Sequence, residues 1–432
     1  MSALIRFELK KMLGNRKGII LLCAVFLLNL LSLFQIIQSQ IHYFGQIKAV
    51  NGLDAIHVEQ QYMKKLKGPL TDEFIAHVES TINRLESDPA NLETDEEATK
   101  AEAEDLEKRG YSKAEIAKIP PAKKVKDSVY INEIDQYDFI GSTIGIQSLQ
   151  AKIITQLEKG GMDPIYQNTP GFHDPNAPKP AKTPALLQKL LEMYQKVRRP
   201  FYNDYYDGWF NFCFGYSEFA AIILGAAVVI LLSPVFSGEY SAGMDGIILS
   251  SKYGKNKTIK AKLLVSSGFT VCLYVISALL NSILYAAFFG VTGSGCNIQV
   301  NGNYMVSPYP LTYLQLYWAV LLMGLIGSLL LCAVTIFISA KCRSPFLSLI
   351  LSAVVLYLPA VNLSGISLSA DKILKLFPIH LLSSPALFET GIFYNLFGHP
   401  IPQPIVMVGV AAICSAAFFF AAYRSFRQHQ AA

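Results

Sequence analysis

Long apolar runs alternate with short clusters of lysine and arginine along most of the chain. A helix needs about 20 apolar residues to cross the hydrocarbon core of a membrane. Six runs approach this length and predict transmembrane helices over residues 18–38, 211–236, 263–291, 311–340, 346–361 and 404–423. The fifth run is the shortest and is interrupted by Pro359. We therefore expect an all-α membrane protein with six spans.

The first run is predicted to remain as a membrane anchor. The apolar part of a cleaved signal peptide covers about 7–15 residues and ends at a small-x-small site. This run is longer and ends in the polar residues Gln38, Ser39 and Gln40.

Residues 39–210 separate the first two runs and have the pattern of a soluble domain. Apolar positions recur there at helical spacing, as Phe74, Val78, Ile82 and Leu85 do. Helix starts are predicted at Thr71, at the capping boxes Thr94–Glu97 and Ser112–Glu115, and at Thr183–Pro184. Residues 160–182, rich in Gly, Pro and Asn, predict an irregular loop. We expect this insert to be mainly helical.

The basic residues outside the insert predict the orientation, because lysine and arginine collect in cytoplasmic loops. They are Arg6, Lys10, Lys11, Arg16 and Lys17; Lys252, Lys255, Lys257, Lys260 and Lys262; Lys341 and Arg343; and Arg424 and Arg427. With six spans all of them share one side, whereas five spans would put Arg424 on the other. Residues 1–17, 237–262 and 424–432 are thus predicted to be cytoplasmic, and residues 39–210 extracellular.

Composition agrees with this division. Only 16% of the 432 residues are charged, against about 25% in soluble proteins. Twenty-six of the 32 acidic residues, but only 21 of the 37 basic ones, lie between residues 41 and 210. The net charge of +5 is therefore the sum of two opposite balances on two sides of a membrane. It predicts contact with membrane lipids and no nucleic-acid partner.

The chain lacks the motifs of the common catalytic and metal sites. No P-loop, H-E-x-x-H or G-x-S-x-G motif occurs, so we expect no ATP site, cofactor, metal or catalytic residue in this chain. The cysteines mostly lie in apolar runs and are interpreted as small buried hydrophobic residues, with only Cys296 expected to face outside. They are Cys23, Cys213, Cys272, Cys296, Cys332, Cys342 and Cys414.

Few polar residues lie within the predicted spans. Asn29 and Asn281 are expected to form interhelical hydrogen bonds, with a polar path through the membrane as the alternative. Glu218, near the outer end of the second span, is the one acidic residue among them. So few intramembrane charges argue against an ion-driven secondary transporter.

Residues 364–403 form a broken apolar segment before the last span. Pro378 and Pro385 interrupt it, which predicts short helices at the outer surface or a re-entrant pair. His380 and His399 are interpreted there as interfacial polar groups. Together with Glu218 and Glu389 they are too scattered in sequence to predict a membrane-embedded enzyme.

The loop after the second span, "SPVFSGEYSAGMDGIILSSKYGKNKTIKAKLL", has the pattern of a short amphipathic helix. Either this helix docks on a cytosolic partner or the segment is a simple basic loop. The residues in question are Glu239, Tyr240, Gly243, Met244, Ile247 and Leu249.

This loop resembles that of the ABC-2 type permeases, the transmembrane subunits of ABC exporters. Glu239, Gly243 and Met244 match the E-x-x-x-G-x-hydrophobic segment of the family's coupling helix, and Lys260, Ala261 and Lys262 match the basic entry into the next span. The start "LIRFELKKMLGNRKG" is similar to the family's elbow helix. The elbow residues are Phe7, Glu8, Leu9 and Lys10.

The resemblance implies a permease in a bacterial plasma membrane that forms a homodimer or heterodimer. ATP and Mg²⁺ would bind to a separate cytosolic ATPase subunit, and the exported substrate would be a peptide, antibiotic, lipid-like molecule or ion. The large insert departs from many family members and is similar to subfamilies from Gram-positive bacteria. A second hypothesis is a membrane-anchored sensor or scaffold whose insert binds a ligand. Co-purification of an ATPase distinguishes the two.

Overall fold

A computed structural model describes residues 2–13, 16–109, 113–116, 119–169, 182–251, 253–361 and 367–428. This part of the chain is mostly helical. The helices are α1 Ser2–Leu13, α2 Arg16–Gln38, α3 Leu53–Lys65, α4 Asp72–Ser87, α5 Glu96–Lys108, α6 Lys113–Ile116, α7 Asp135–Glu158, α8 Asp163–Gln167, α9 Pro184–Gln195, α10 Asp207–Ser241, α11 Asp245–Ser250, α12 Gly254–Phe289, α13 Tyr313–Lys341, α14 Pro345–Tyr357, α15 Leu368–Leu374, α16 Pro378–Leu382 and α17 Gln403–Arg427.

Strands are short and occur only as antiparallel pairs in the described chain. The pairs are β1 Ile41–Phe44 with β2 Lys48–Asn51, β3 Gly68–Pro69 with β6 Tyr202–Asn203, β4 Leu92–Thr94 with β5 Lys123–Val125, and β7 Phe393–Leu396 with β8 His399–Pro402. The helical turn Asp127–Val129 and the π-helical turn Tyr130–Ile134 lead into α7. Short 3-10 turns cover Pro89–Asn91, Ile298–Val300, Gly302–Tyr304, Leu358–Ala360 and Pro385–Phe388.

Five helices are long and apolar enough to cross a membrane: α2, α10, α12, α13 and α17. The chain thus has the character of a multi-pass membrane protein. The central helix is α13, which packs on α10, α12, α14, α16 and α17. Helices α2 and α17 are the least buried of the five and leave apolar side chains on the outside of the bundle.

The expected fifth span is shorter than the others. Helix α14 and the 3-10 turn after it cover the 16 residues Pro345–Ala360, which is about 24 Å of helix against a hydrocarbon core of about 30 Å. Pro359 lies in that 3-10 turn, at the end of the apolar run, because its ring cannot continue an α-helix.

The bundle has two distinct ends. At the first end α1 contacts the start of α12, and the last turns of α10, α13 and α17 meet. We call it the basic end, since the lysine and arginine clusters lie there. At the other end, Gln40 after α2 reaches Asn211 in α10 and Tyr206 before α10 stacks on Tyr313 in α13. We call this the insert end.

After α14 leaves the basic end, residues 367–402 lead past the middle of the bundle to the insert end, where α17 begins. A Cβ added to Gly327, halfway along α13, would lie 2.7 Å from Cβ of Leu381 in α16. Helix α16 therefore packs against the middle of α13. His380 hydrogen-bonds through Nε2 to the Pro359 carbonyl at 2.9 Å. The hairpin β7–β8 that follows was not predicted from the sequence.

The insert is built mainly of helices, with three strand pairs that the sequence pattern did not predict. The strands are two to four residues long, too short for an alternating pattern to stand out. Within the loop predicted at residues 160–182, α8 Asp163–Gln167 is helical and residues 170–181 lie outside the described chain.

Two of the predicted helix starts are confirmed and one is wrong. The Thr71 hydroxyl accepts a hydrogen bond from the Phe74 amide and the Thr183 hydroxyl one from the Leu186 amide. Helix α5 is capped by Asp95 rather than Thr94, because β4 includes Thr94 and the Asp95 carboxylate accepts from the Ala98 amide. The box at Ser112 lies outside the described residues.

The insert packs on the loop between α12 and α13. Gln150 donates to the Met305 carbonyl at 2.7 Å, and the Tyr194 hydroxyl donates to the Val306 carbonyl at 2.6 Å. All seven cysteines are free, and Cys296 of this loop is buried. The expectation that the cysteines are small buried residues is wrong for Cys23 and Cys272, which are exposed because they lie on the outer sides of α2 and α12.

Candidate functional site

A buried cluster of four charged residues lies at the basic end. The Lys262 ammonium, in α12, is 3.0 Å from Oε2 of Glu8 in α1 and 2.7 Å from Oε1 of Glu239 near the end of α10. The Lys11 ammonium lies 2.6 Å from the same Glu239 oxygen. We call these four residues the basic-end cluster. It joins α1 to α10 and α12, and the ion pairs to α1 link residues 228 and 254 positions apart in sequence.

Burial makes the pairing of Lys262 with Glu8 and Glu239 obligatory. The Lys262 side chain is 1% exposed and those of Glu8 and Glu239 are 8% and 7% exposed. Isolated charges at such depth would be strongly unfavourable, whereas two lysines and two glutamates neutralise one another. Glu8 and Lys11 are three residues apart on α1 and so lie on one face of that helix.

A glycine turn connects the cluster to α11. The Met244 amide donates to the Glu239 carbonyl at 2.9 Å and the Gly243 amide to the Tyr240 carbonyl at 3.1 Å. With Gly243 at φ +64°, these two bonds form a Schellman motif that ends α10. The backbone of Glu239 therefore sets the direction in which α11 leaves the bundle.

Helix α11 is short and exposes part of its apolar side. Met244 is 43% and Ile247 64% exposed, which is compatible with their predicted role as docking residues. Leu249 was predicted to dock with them, but it is buried. It lies two positions after Ile247, which on a helix points to another face.

Tyr240 also packs into the bundle rather than toward a partner. Its hydroxyl donates to the Ala340 carbonyl of α13 at 3.0 Å, and its ring stacks on Phe426 of α17. One turn earlier, the Ser339 hydroxyl accepts from the Phe236 and Ser237 amides. These bonds fasten the end of α10, just before α11, to the two neighbouring helices.

The predicted elbow residues divide between the two faces of α1. Glu8 is buried in the cluster, Phe7 is 63% exposed and Lys10 is exposed. Leu9 is partly buried. Helix α1 contacts α2 and α12 along this buried face.

The two predicted intramembrane asparagines meet. Nδ2 of Asn281 in α12 donates to Oδ1 of Asn29 in α2 at 3.1 Å, and both side chains are buried. The same amides donate to carbonyls one turn earlier in their own helices, Val25 and Ser277. The expected interhelical hydrogen bond is thus present.

The remaining sequence candidates do not form a site with these residues. Glu218 lies on an exposed side of α10, in the π-helical turn Phe212–Ala220 that contacts the turn before Glu389. His399 is exposed on β8. Within the described chain no three His, Cys, Asp or Glu side chains are grouped as metal ligands.

A second buried ion cluster, in the insert, was missed by the sequence reasoning. His42 in β1 contacts Oδ2 of Asp135 in α7 at 2.8 Å and Oε1 of Glu59 in α3 at 3.5 Å. Burial alone would lower the pKa of His42, but the bonds to Asp135 and Glu59 outweigh it and raise that pKa from 6.5 to about 9. A single histidine beside a span gives no sequence signal for such partners.

No protein-family model, curated protein or solved structure matches this chain. The family resemblance therefore rests on the sequence motifs in α1, at the end of α10 with the turn that follows it, and at the start of α12.

Proposed function

We propose that this chain is the permease subunit of an ABC-2 type ATP-driven exporter. In this proposal α14 completes a sixth pass, the basic end faces the cytosol and the insert lies outside. A separate ATPase subunit binds ATP and Mg²⁺ and docks at the basic end. Two permease chains, identical or different, enclose the transport path for a peptide, antibiotic, lipid-like molecule or ion.

The observation that carries the proposal is the basic-end cluster. The residues that resemble the elbow helix and the coupling segment are far apart in sequence, yet Glu8 and Glu239 share Lys262 at 3.0 and 2.7 Å. A loop that served only to retain positive charge on one side would need no buried ion pairs. A force-transmitting joint needs its elements linked at a fixed point.

The geometry provides a route for that force. The ATPase subunit contacts Met244 and Ile247, and its closure on ATP displaces α11. The Schellman turn at Gly243 passes this displacement to the Glu239 backbone. The Glu239 carboxylate then moves α12 through Lys262, and α1 through the bonds of Lys11 and Lys262.

The experiment is purification of the full-length chain from its own cells in mild detergent, followed by identification of associated chains and by ATPase assay. We expect a chain with Walker motifs to co-purify and to hydrolyse ATP. Ile247→Asp or Met244→Asp is expected to abolish this association, and Gly243→Val to reduce coupled hydrolysis because a β-branched residue strains a turn at φ +64°.

Leu396→Asp is the matched control, since Leu396 is an exposed apolar residue at the opposite end. It should leave association and hydrolysis unchanged. Absence of any ATPase from the purified wild-type complex, or normal function with α11 scrambled, would favour the sensor or scaffold hypothesis and contradict the proposal.

A further inference from the structure

A large cavity lies between α1, α2 and the final third of α10, beside the basic-end cluster. Its volume is about 1060 Å³, at the upper end of the roughly 300–1,000 Å³ of typical ligand sites. Apolar side chains form most of its wall. They include Phe7 from α1, Leu21 and Ala24 from α2, and Leu231 and Val235 from α10.

The charged residues of the wall lie at one end of the cavity. Glu8, Lys11, Glu239 and Lys262 all belong to the basic-end cluster. Leu231 precedes Glu239 by eight residues, so the apolar part extends about 12 Å deeper along α10. That depth fits within one leaflet of a bilayer whose hydrocarbon core is about 30 Å thick. The cavity is thus charged at the membrane surface and apolar below it.

The cavity opens to the side of the bundle. Phe7 and Ile20, which line it from α1 and α2, are 63% and 67% exposed. An occupant can therefore enter from the membrane rather than from water.

The charges on the cavity wall are unequally accessible. Lys11 keeps 48% of its side chain accessible, whereas the side chains of Glu8, Glu239 and Lys262 are 8%, 7% and 1% accessible. The accessible charge is therefore positive, which favours an anionic occupant.

We propose that this cavity binds an anionic phospholipid from the leaflet at the basic end, with an acyl chain against Ala24 and Leu231 and its phosphate at Lys11. The phosphate competes with the Glu239 carboxylate for the Lys11 ammonium. Lipid binding therefore loosens one bond of the basic-end cluster. This inference rests on the membrane spans and not on the proposed ATPase coupling.

The test uses the full-length protein equilibrated with equal amounts of phosphatidylglycerol and phosphatidylcholine of identical chains, with retained lipid counted by native mass spectrometry. We expect phosphatidylglycerol to be retained in roughly fivefold excess, the preference that one lysine near an anionic headgroup provides. Ala24→Trp fills the cavity and should abolish retention. Cys23→Trp, on the adjacent exposed residue outside the cavity, should not.

A second pair of variants tests whether Lys11 binds the lipid headgroup. Lys11→Gln should remove the preference for phosphatidylglycerol while lipid is still retained, and Lys10→Gln should preserve it. If Ala24→Trp fails to fold, Gly238→Leu replaces it. A Cβ at Gly238 would have Cβ of Pro234 as its nearest side-chain contact, at 3.5 Å, so a side chain can be accommodated there.

If both cavity-filling variants retained phosphatidylglycerol at the wild-type level, the proposed site would be overturned. Equal retention of the two lipids by the wild-type protein would overturn the headgroup assignment. Loss of a dimer instead of a lipid in Ala24→Trp would identify the cavity as an interface between copies and overturn the proposal. None of these outcomes depends on whether an ATPase co-purifies.

Discussion

The two ends of α2 are both held by buried ion clusters, although α2 itself is among the least buried of the long helices. Before its start, α1 contributes Glu8 to the basic-end cluster. After its end, β1 contributes His42 to the cluster with Asp135 and Glu59. Helix α2 is thus held at both ends by the segments that flank it, in addition to its own packing on α10 and α12.

The two clusters differ in composition. The basic-end cluster contains two lysines and two carboxylates. The insert cluster contains one histidine between two carboxylates, and the bonds to these carboxylates raise the pKa of His42 to about 9. The insert is therefore attached to α2 by a contact that weakens as pH rises.

The largest effect is expected for Lys262→Met, which leaves Glu8 and Glu239 buried near each other without their shared cation. We expect a loss of about 3–5 kcal/mol in the free energy of unfolding, measured as a lower thermal unfolding temperature in detergent. Lys260→Met, an exposed lysine of the same helix, is the control and should change little. An unchanged stability of Lys262→Met would contradict the importance of the cluster.

Neutralising the three buried residues of the basic-end cluster should separate stability from coupling. Lys262→Met combined with Glu8→Gln and Glu239→Gln removes every unpaired charge except the half-exposed Lys11. We expect most of the lost stability to return, because uncharged replacements of a buried ion group are well tolerated. Coupled ATP hydrolysis should stay low. Full recovery of coupled ATP hydrolysis in this variant would show that the ion pairs do not transmit motion from α11 to α1 and α12.

The pH response of the insert should be the next largest effect. His42 binds its proton more tightly in the folded state, so its stabilisation is complete below pH 6.5 and disappears as the pH rises to about 9. The loss amounts to about 3 kcal/mol. Thermal unfolding of the wild-type protein between pH 6 and 10 should show it.

His42→Gln should abolish that pH response and lower the stability near pH 6. His57→Gln is the control, since His57 is exposed on α3. A wild-type unfolding temperature that did not fall across this pH range would refute the role assigned to His42.

A smaller effect is expected from the uncharged contact between α2 and α12. A double-mutant cycle of Asn29→Leu and Asn281→Leu should give a coupling energy of about 0.6 kcal/mol, and no more than about 1.7 kcal/mol. Denaturation in mixed micelles measures it. Zero coupling would mean that the 3.1 Å hydrogen bond contributes nothing and that the charged clusters alone position α2.

The smallest effect is expected for Tyr240→Phe. It removes the hydrogen bond to the Ala340 carbonyl but keeps the ring on Phe426. We expect a loss of about 1 kcal/mol in unfolding free energy with the ATPase association intact, as measured on the purified complex. Loss of ATPase association in this variant would show that Tyr240 does contribute to the docking surface.

The long helices were predictable because their signal is local. Each apolar run of about span length became a helix, and α10 extends beyond its run to Ser241 because Glu239 is neutralised inside the protein. The pairing of Lys262 with Glu8 was not predictable, since the two residues are 254 positions apart. The same holds for His42 and Asp135, which are 93 apart. Leu249 was wrongly predicted to lie on the exposed face of α11. A helix of six residues is too short for the spacing of its apolar residues to define one face.

The most direct measurement is the accessibility of α11 from outside the cell. In a variant without the native cysteines, Ser250→Cys at the end of α11 and Ser87→Cys in the insert would be treated with a membrane-impermeant maleimide. Both serines are exposed. We predict that intact cells label position 87 only and that permeabilised cells label both. Labelling of position 250 in intact cells would contradict the orientation and, with it, docking of a cytosolic ATPase at the basic end.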